Sequence, residues 1–372
     1  MVTITRKALE KSLAGINQSI KRSTPDPLIG VVGKDELSFY QEGYLSVWDV
    51  VPINRTDTFV EDIKFSVDSH DFHSVVAAMA AEDVDMSVNE KSLTVKAGKS
   101  SVRIPYQDTY SIGIADAPEF KTVIDLPPEF MAALVKARRF VAKTEDRPSL
   151  SCLYVAIRDA KVALIATDAF RMYSTEFAVP AVEDISLEVL IPERCADSMI
   201  KIFAGKAVRL GITDRDHIVM SSDDETTFVL TPGFNEIYPT VVFSFLDDKG
   251  QAGFIADRDK FIEAIRLGSS FSAGDKMTIY KIDDGIRMTF NQSRMDSDLY
   301  LEGVESVESF NEATFNPRFL LDCLQSLDKK IEVRQQSEGN GPLWMSSDDN
   351  TITIVHKIQI QYFRSSTSIN ID

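Results

Sequence analysis

Apolar residues recur at helical spacing at the start of the chain, and basic or amide residues occupy the opposite side of the helical wheel. The apolar positions are Leu9, Leu13, Ile16 and Ile20. The opposite positions are Lys7, Lys11, Gln18 and Arg22. The pattern predicts an amphipathic helix over residues 5–20 that buries one face and carries a basic stripe on the other.

Alternation of apolar and polar residues, which is typical of strands, dominates the positions that follow. It predicts strands at residues 36–40, 44–51, 58–67, 84–88, 92–96 and 101–106. A short helix is predicted at residues 72–81, because Asp68-Ser69-His70-Asp71 offers N-cap side chains just before it.

The same order of elements returns twice along the chain. In the second copy, a helix predicted at residues 127–143 has an apolar face formed by Phe130, Leu134, Ala137 and Val141. Nearly opposite that face stand Lys136, Arg139 and Lys143. In the third copy, a helix predicted at residues 257–268 carries Lys260 and Arg266, with Asp259 and Glu263 between them. Its basic stripe is therefore the weakest of the three.

A sequence repeat defines the size of these copies. Residues 220–230, MSSDDETTFVL, return at residues 345–355 as MSSDDNTITIV, at an offset of 345 − 220 = 125 residues. The prolines that begin the second helices, Pro192 and Pro317, are also 317 − 192 = 125 residues apart. We therefore predict three similar domains, residues 1–119, 120–248 and 249–372, the last with a short polar tail. Each is predicted to be α+β, with two helices packed on antiparallel β-sheet.

The repeated aspartates allow two interpretations. Asp223-Asp224 and Asp348-Asp349 could bind a divalent cation, or they could form turns, because each pair lies between two strand-like runs. Gly98-Lys99-Ser100 occupies the corresponding place in the first domain, 223 − 98 = 125 residues earlier, which favours the turn. Asp283-Asp284-Gly285 predicts a hairpin in the same way.

Composition narrows the class of protein. Hydrophobic residues make up 44% and charged residues 26% of the 372 positions, as in soluble globular proteins. Cys152, Cys195 and Cys323 are odd in number and widely spaced, which favours free thiols over a disulfide framework or a zinc site. The sequence shows no membrane span and no secretory signal, so we expect a cytoplasmic protein. The net charge of −17, taken alone, argues against a protein that coats nucleic acid.

Motifs along the chain resemble the bacterial sliding clamp, the beta subunit of DNA polymerase III. Arg147-Pro148-Ser149-Leu150 and Ala166-Thr167-Asp168-Ala169-Phe170-Arg171-Met172 are similar to the Arg-Pro-x-Leu and Ala-Thr-Asp-Gly-His-Arg-Leu segments of that family's middle domain. Tyr238-Pro239 resembles the end of its Gly-x-Phe-Pro stretch, and Phe315–Asp322 resembles its Phe-Asn-x-x-Tyr-Leu-Leu-Asp helix start. The order and spacing of these segments extend the resemblance over essentially the whole chain.

The resemblance implies a homodimer that closes head-to-tail into a ring of six similar domains around double-stranded DNA. Such a ring is a processivity factor that tethers the replicative DNA polymerase, without enzymatic activity, catalytic residues, a metal or a cofactor. A wrapped ring needs positive charge toward the phosphates and can carry acidic residues outside, which reconciles the net charge of −17 with DNA. The inward-facing candidates are Lys7, Lys11, Arg22, Lys136, Arg139, Lys143, Lys260 and Arg266.

The resemblance also implies a pocket, between the second and third domains, for a short apolar peptide motif of the polymerase and the clamp loader. The residues at the matching positions are Leu150, Thr167, Ala169, Phe170, Arg171, Met172, Val355, Ile358 and Ile360. Ala169 stands where the family usually has Gly, and Phe170 stands where it usually has His. The family's Met-Pro-Met-Arg-Leu ending is replaced by other residues. A hypothesis that fits these departures is a divergent clamp encoded by a phage or mobile element.

Two other classes of function stay open from the sequence. One is a metal-dependent nucleic-acid enzyme that uses Asp223 and Asp224, or Asp348 and Asp349. The other is a structural β-protein that does not bind DNA. The threefold repeat and the ordered motifs favour the clamp over both.

Overall fold

The computed structural model describes residues 1–19, 27–107, 118–120, 122–143, 147–179, 186–213, 217–231, 236–283, 285–291, 299–307, 310–335 and 341–356. The chain divides into two compact units. The first comprises Met1–Arg138, Thr144–Leu164 and Phe177–Ile237, and the second comprises Arg139–Lys143, Ile165–Glu176 and Tyr238–Asp372. The division into three domains, predicted from the repeat, stays a prediction.

The described residues form seven α-helices and three short 3-10 segments. The α-helices are α1 Arg6–Ile16, α2 Ser69–Ala78, α3 Glu129–Ala137, α4 Glu193–Ile202, α5 Val241–Asp247, α6 Arg258–Phe271 and α7 Pro317–Gln325. The 3-10 segments are Asn17–Ser19, Arg138–Phe140 and Pro148–Ser151. Within the same ranges, none of the helices is both long enough and apolar enough to cross a membrane.

The strands are short and numerous, as expected for antiparallel sheets joined by tight turns. They are β1 Val2–Thr5, β2 Pro27–Val32, β3 Glu36–Gln41, β4 Ser46–Pro52, β5 Asn54–Arg55, β6 Ile63–Asp68, β7 Asp83–Val88, β8 Ser92–Ala97, β9 Ser100–Pro105, β10 Thr122–Asp125, β11 Cys152–Arg158, β12 Lys161–Thr167, β13 Arg171–Ala178, β14 Leu187–Pro192, β15 Val208–Ile212, β16 Ile218–Ser222, β17 Thr227–Thr231, β18 Gln251–Asp257, β19 Met277–Ile282, β20 Gly285–Phe290, β21 Leu299–Tyr300, β22 Val304–Val307, β23 Ala313–Phe315, β24 Lys330–Gln335, β25 Leu343–Ser347 and β26 Ile352–Val355. The α+β class predicted from the sequence is therefore confirmed.

Two antiparallel sheets organise the first unit. One has the order β5-β1-β7-β8-β9, and the other has the order β10-β15-β16-β17-β4-β3-β2-β6. In the second sheet, β17 pairs with β4, so strands from the first two predicted domains form one continuous sheet. A further antiparallel pair joins β11 to β14. Helix α1 packs on β4 and on both α2 and α4, and its Leu9, Leu13 and Ile16 are fully buried, as the apolar stripe predicted.

The second unit repeats the scheme of helices on antiparallel sheet. Its strands β26, β25, β24, β18 and β22 lie side by side in that order, and residues 171–174 of β13 pair with β26. A second sheet has the order β21-β20-β19-β23. The tight connection of β19 to β20, in which Ile282 pairs with Gly285, confirms the predicted hairpin. Helices α6 and α7 pack against each other, and Phe261, Ile265 and Leu320 are buried completely.

Side-chain caps decide where several helices begin. Thr5 accepts a hydrogen bond from the backbone of Ala8 at the start of α1, and Asp68 accepts one from Asp71 at the start of α2. Asp257 and Asn316 cap α6 and α7 in the same way. These caps satisfy backbone N–H groups that have no partner inside the helix. Because Asp68 is the cap, α2 begins at Ser69 rather than at the predicted residue 72.

Three further predicted boundaries differ from those in the structure. The helix expected over residues 127–143 ends at Ala137 and tightens into the 3-10 segment Arg138–Phe140, which turns Phe140 into the interior. The strand expected from residue 58 begins only at Ile63, and Phe59 before it is exposed, with the Arg55 guanidinium over its ring. The helix expected to reach residue 20 ends at Ile16, and residue 20 lies outside the described ranges.

Candidate functional site

The predicted DNA-facing lysines of α1 lie opposite its buried face. Lys7 and Lys11 are both exposed, whereas Leu9, Leu13 and Ile16 on the other side are fully buried. This is the arrangement that a basic stripe needs to reach a phosphate backbone. Arg22, the fourth residue of the predicted stripe, lies outside the described ranges.

The basic residues of the second predicted stripe follow the end of α3. Arg139 and Lys143 are exposed, and Lys136 is half-buried. Arg139 donates a hydrogen bond from Nη1 to Oε1 of Gln325 on α7, at 3.3 Å. The neighbouring Arg138 forms an ion pair with Asp197 on α4. Arg138 is therefore engaged within the first unit.

The third predicted stripe, on α6, is partly neutralised by acidic neighbours. Lys260 is exposed but its Nζ lies 3.5 Å from Glu263 and 3.8 Å from Glu302. Arg266 is also exposed, and it borders a groove of about 420 Å³ that Arg258, Ile262 and Gln325 help to line. Glu263, noted in the sequence, therefore lowers the positive charge of this stripe together with Glu302, whereas Asp259 pairs with Arg258.

The predicted peptide site centres on the turn from Thr167 to Met172, which joins β12 to β13. The Asp168 carboxylate accepts backbone hydrogen bonds from Phe170 at 3.0 Å and from Arg171 at 2.9 Å. Oγ1 of Thr167 donates to the Arg171 carbonyl at 2.7 Å and accepts from the Ala169 N–H at 3.1 Å. These bonds, all made by side chains inside the turn, fix its backbone independently of distant contacts.

Ala169 occupies a left-handed position in this turn. Its φ of 73° falls in a region that costs an L-residue energy and that glycine adopts freely. The structure thus explains why a glycine is the usual residue at this place in the motif. The alanine lies at an exposed position of the turn.

Arg171 lies in the interior of the second unit, where its guanidinium joins three segments of chain. Its Nε donates to Asp168 at 3.0 Å, its Nη2 donates to the Arg139 carbonyl at 2.9 Å, and its Nη1 pairs with Asp322 on α7. The side chain is only 12% exposed. Burial lowers the pKa of Arg171, but the attraction of Asp168 and Asp322 outweighs that effect and leaves the pKa raised. The residue is therefore a fixed cation.

Aromatic rings stack on this guanidinium. The Arg171 Cζ lies 5.3 Å from the centre of the Phe140 ring and 4.8 Å from the centre of the Phe319 ring. The Phe319 ring in turn stacks on Phe170, with 5.9 Å between centroids and 30° between planes. We call these four side chains, Phe140, Arg171, Phe319 and Phe170, the aromatic–arginine stack. Its outermost member, Phe170, is 60% exposed.

The remaining predicted pocket residues contribute mainly to the interior. Thr167, Met172 and Val355 are buried in the second unit, where Arg171 pairs with Val355 and Met172 with Ile354 across β13 and β26. Leu150 is buried in the first unit, within the 3-10 segment Pro148–Ser151. Ile358 and Ile360 lie outside the described ranges.

Sequence reasoning missed several side chains at this site. Phe319 and Asp322 were noted only as part of a helix start, although their spacing of three residues places them on one side of α7. His356 was given no role, yet its backbone N–H donates to the Phe170 carbonyl at 2.8 Å and its ring meets the Phe245 ring edge-on, with 5.0 Å between centroids. Burial, partly offset by Asp168, lowers the pKa of His356.

The repeated aspartates lie in hairpin turns, as the sequence favoured. Asp224 accepts hydrogen bonds from the hydroxyl of Ser222 at 2.5 Å and from the backbone N–H of Thr226 at 3.1 Å. Asp349 makes the equivalent bonds to Ser347 and Thr351. The next residues, Glu225 and Asn350, both adopt left-handed φ angles, of 56° and 59°. Across the described ranges, no cluster of three or more His, Cys, Asp or Glu side chains is arranged to hold a metal ion.

Comparison with known proteins defines the class to which this fold belongs. The beta sliding clamp of Bacillus subtilis is 20% identical to this chain over an alignment 372 residues long, which covers 96% of this chain and 98% of that protein. The solved structure of the DNA polymerase sliding clamp from the same organism matches with a TM-score of 0.82 at 17% identity, over 96% of this chain and 98% of that chain. The DNA polymerase III subunit beta of Pseudomonas aeruginosa matches with a TM-score of 0.85 at 16% identity, over 97% of this chain and 100% of that one. The fold is that of a DNA sliding clamp.

A family match covers the middle of the chain. Residues 125–232 match the central domain of the DNA polymerase III beta subunit. These residues include the Thr167–Met172 turn and the Asp224 hairpin. In sequence and in fold the chain is similar to bacterial DNA polymerase III beta subunits, as its motifs predicted.

Proposed function

We propose that this protein is a sliding clamp that encircles duplex DNA without sequence specificity and tethers a replicative DNA polymerase as a processivity factor. The observation that carries the proposal is the end-to-end match in fold, which covers 96% of this chain and 98% of the Bacillus subtilis clamp. Tethering raises the local concentration of the polymerase without chemistry of its own, so the proposed role is not enzymatic. The expected place of action is the cytoplasm.

The exposed basic residues support contact with DNA. Lys7, Lys11, Arg139, Lys143 and Arg266 are exposed although the whole chain carries a net charge of −17. Lysine and arginine side chains neutralise phosphates without reading base edges, which suits a protein that must slide. The acids beside Lys260 keep that contact moderate.

Open sheet edges support closure of two chains into a homodimeric ring. Within the described ranges, β9 forms one edge of its sheet and β21 forms one edge of another. Val102 of β9 is 39% exposed and Tyr300 of β21 is 55% exposed. An open edge is a template for pairing with a strand from another chain. Head-to-tail pairing of two different edges closes a ring when the rotation between the chains permits it.

The Thr167–Met172 turn and its neighbours support docking of an apolar peptide. A structure of the Helicobacter pylori beta clamp, to which this chain is similar in fold, contains a bound DNA ligase peptide. In this chain Phe170 is 60% exposed, whereas Met172 in the same turn and Val355, which pairs with Arg171 across the strands, are buried. We expect the polymerase and the clamp loader to dock here through short apolar motifs.

A loading experiment tests the ring directly. The protein is loaded on nicked circular DNA with a clamp loader, and the DNA is then linearised. A ring stays on the circle and is lost from the linear form, and light scattering of the free protein should report a dimer. The Lys7→Glu, Lys11→Glu variant should dimerise like the wild type but be retained less well, because it reverses two exposed charges. Equal retention on circular and linear DNA would contradict the proposal.

A further inference from the structure

The aromatic–arginine stack runs from the interior of the second unit to its surface. Phe140 is fully buried, the Arg171 side chain is 12% exposed, and Phe170 at the outer end is 60% exposed. Phe319 is half-buried between the last two. A change at the buried guanidinium therefore reaches the exposed ring through Phe319, which contacts both.

Arg171 determines how the helix that carries Phe319 meets the turn that carries Phe170. One guanidinium binds Asp322 on α7 and Asp168 in the turn, and it also binds the carbonyl of Arg139. Phe319 and Asp322 are three residues apart on the same side of α7. The planar guanidinium thus fixes the helix by an ion pair and the ring by stacking at the same time.

The backbone of Phe170 does not depend on this guanidinium. Its N–H donates to Asp168 at 3.0 Å, and its carbonyl accepts from His356 at 2.8 Å. Loss of the guanidinium would leave the turn in place but would remove the support that orients the two outer rings. The effect should therefore fall on the orientation of the Phe170 ring rather than on the fold of the turn.

We propose that Arg171 is a positioning residue of the partner site, which orients Phe319 and Phe170 so that Phe170 presents a flat ring to an aromatic anchor of the docking peptide. The proposal rests on the peptide-docking role proposed above. Aromatic rings pair best in defined offset or edge-on geometries, so a fixed plane favours an aromatic anchor. Two carboxylates, Asp168 and Asp322, face the single guanidinium, so the site disfavours an acidic anchor.

The test uses the full-length protein and short linear peptides from a random display library. Peptides are selected on the wild type and counter-selected on the Phe170→Asp variant, and their affinities are measured by fluorescence anisotropy. The selected sequences should share an aromatic anchor. Arg171→Lys keeps the charge but loses the planar fork, so we expect it to weaken peptide binding about tenfold. Arg209→Lys is the matched control, because Arg209 also binds two carboxylates, Asp125 and Glu225, in the first unit.

A double-mutant cycle tests whether Arg171 acts through Phe170. In a Phe170→Leu background, which lacks the outer ring, Arg171→Lys should have little further effect on peptide affinity. An equal loss in both backgrounds, or no loss in either, would overturn the proposal. If Arg171→Lys does not fold, Asp322→Asn, which removes one ion-pair partner and keeps the guanidinium, takes its place in the same cycle with the same expectations. Failure of the wild type to select any peptide would refute the docking role itself.

Discussion

Replacement of Ala169 by glycine tests the account of the Thr167–Met172 turn. Ala169 has a φ of 73°, and its exposed methyl group makes no buried contact that glycine would lose. The left-handed conformation costs an L-residue about 1–2 kcal/mol. Glycine removes that cost but gains roughly 0.4–1 kcal/mol of freedom in the unfolded chain. We therefore expect Ala169→Gly to raise the free energy of unfolding by about 0.5–1 kcal/mol.

The measurement is urea unfolding followed by circular dichroism, with Ala163→Gly as the control. Ala163 lies within β12, where its φ is not positive and glycine should lower stability by about 0.5–1 kcal/mol. The two variants make the same chemical change and should move the unfolding midpoint in opposite directions. A destabilised Ala169→Gly, or equal shifts in both variants, would refute the argument from φ.

Three further predictions concern the first unit. Burial raises the pKa of Asp49 above its usual 3.8, although the carboxylate accepts a hydrogen bond from Thr227. The charged form is therefore less favourable in the folded than in the unfolded chain, and the wild type loses stability as the pH rises above 3.8. Asp49→Asn should therefore gain stability relative to the wild type between about pH 3 and pH 7, and a constant difference between the two unfolding curves would contradict this. Gly211→Ala would place a Cβ 2.3 Å from the Thr122 carbonyl oxygen, so it should lower the free energy of unfolding, measured by heat or urea, by about 1–3 kcal/mol. An unchanged unfolding midpoint would contradict the close approach of β10 to β15. Asp224→Asn retains an oxygen that can accept the turn's hydrogen bonds, so retention of the variant on circular DNA should stay at the wild-type level. If instead the wild type nicked DNA and this variant did not, the metal-dependent enzyme would be favoured.

Local signals in the sequence predicted most elements because they act over a few residues. Asp68, one of the N-cap candidates named before the second predicted helix, is the side-chain cap that the structure uses there. The turns at Gly98 and at Asp224 were recognised because glycine and aspartate favour the backbone that a tight hairpin requires. By contrast, β1 is a four-residue strand with no turn signal before it, and α5 is a short apolar run without a cap. Both owe their structure to tertiary packing rather than to local preference.

The candidate peptide site was only partly predictable, because its contacts join segments that are far apart in sequence. The motif resemblance identified the turn from Thr167 to Met172, but not the partners of Arg171. Arg171 and Asp322 are 151 residues apart, and no periodicity relates them. The sequence suggested that Arg171 lines a pocket, whereas its guanidinium lies in the interior with three partners of its own. Its position can be found only from the fold, since a buried cation requires acceptors brought together by tertiary structure.

The departures from the family motif fall into two physically different groups. Ala169 replaces glycine at a left-handed position, so its cost concerns the backbone and leaves the exposed surface almost unchanged. Phe170 replaces histidine at the most exposed point of the aromatic–arginine stack, so its effect concerns what the surface can bind. The neutral Phe170 ring, which stacks on Phe319 above the Arg171 guanidinium, favours apolar and aromatic partners over those that need a hydrogen bond from histidine. We therefore expect residue 170 to account for any difference in partner chemistry from clamps that have histidine there, and residue 169 to account for a difference in stability.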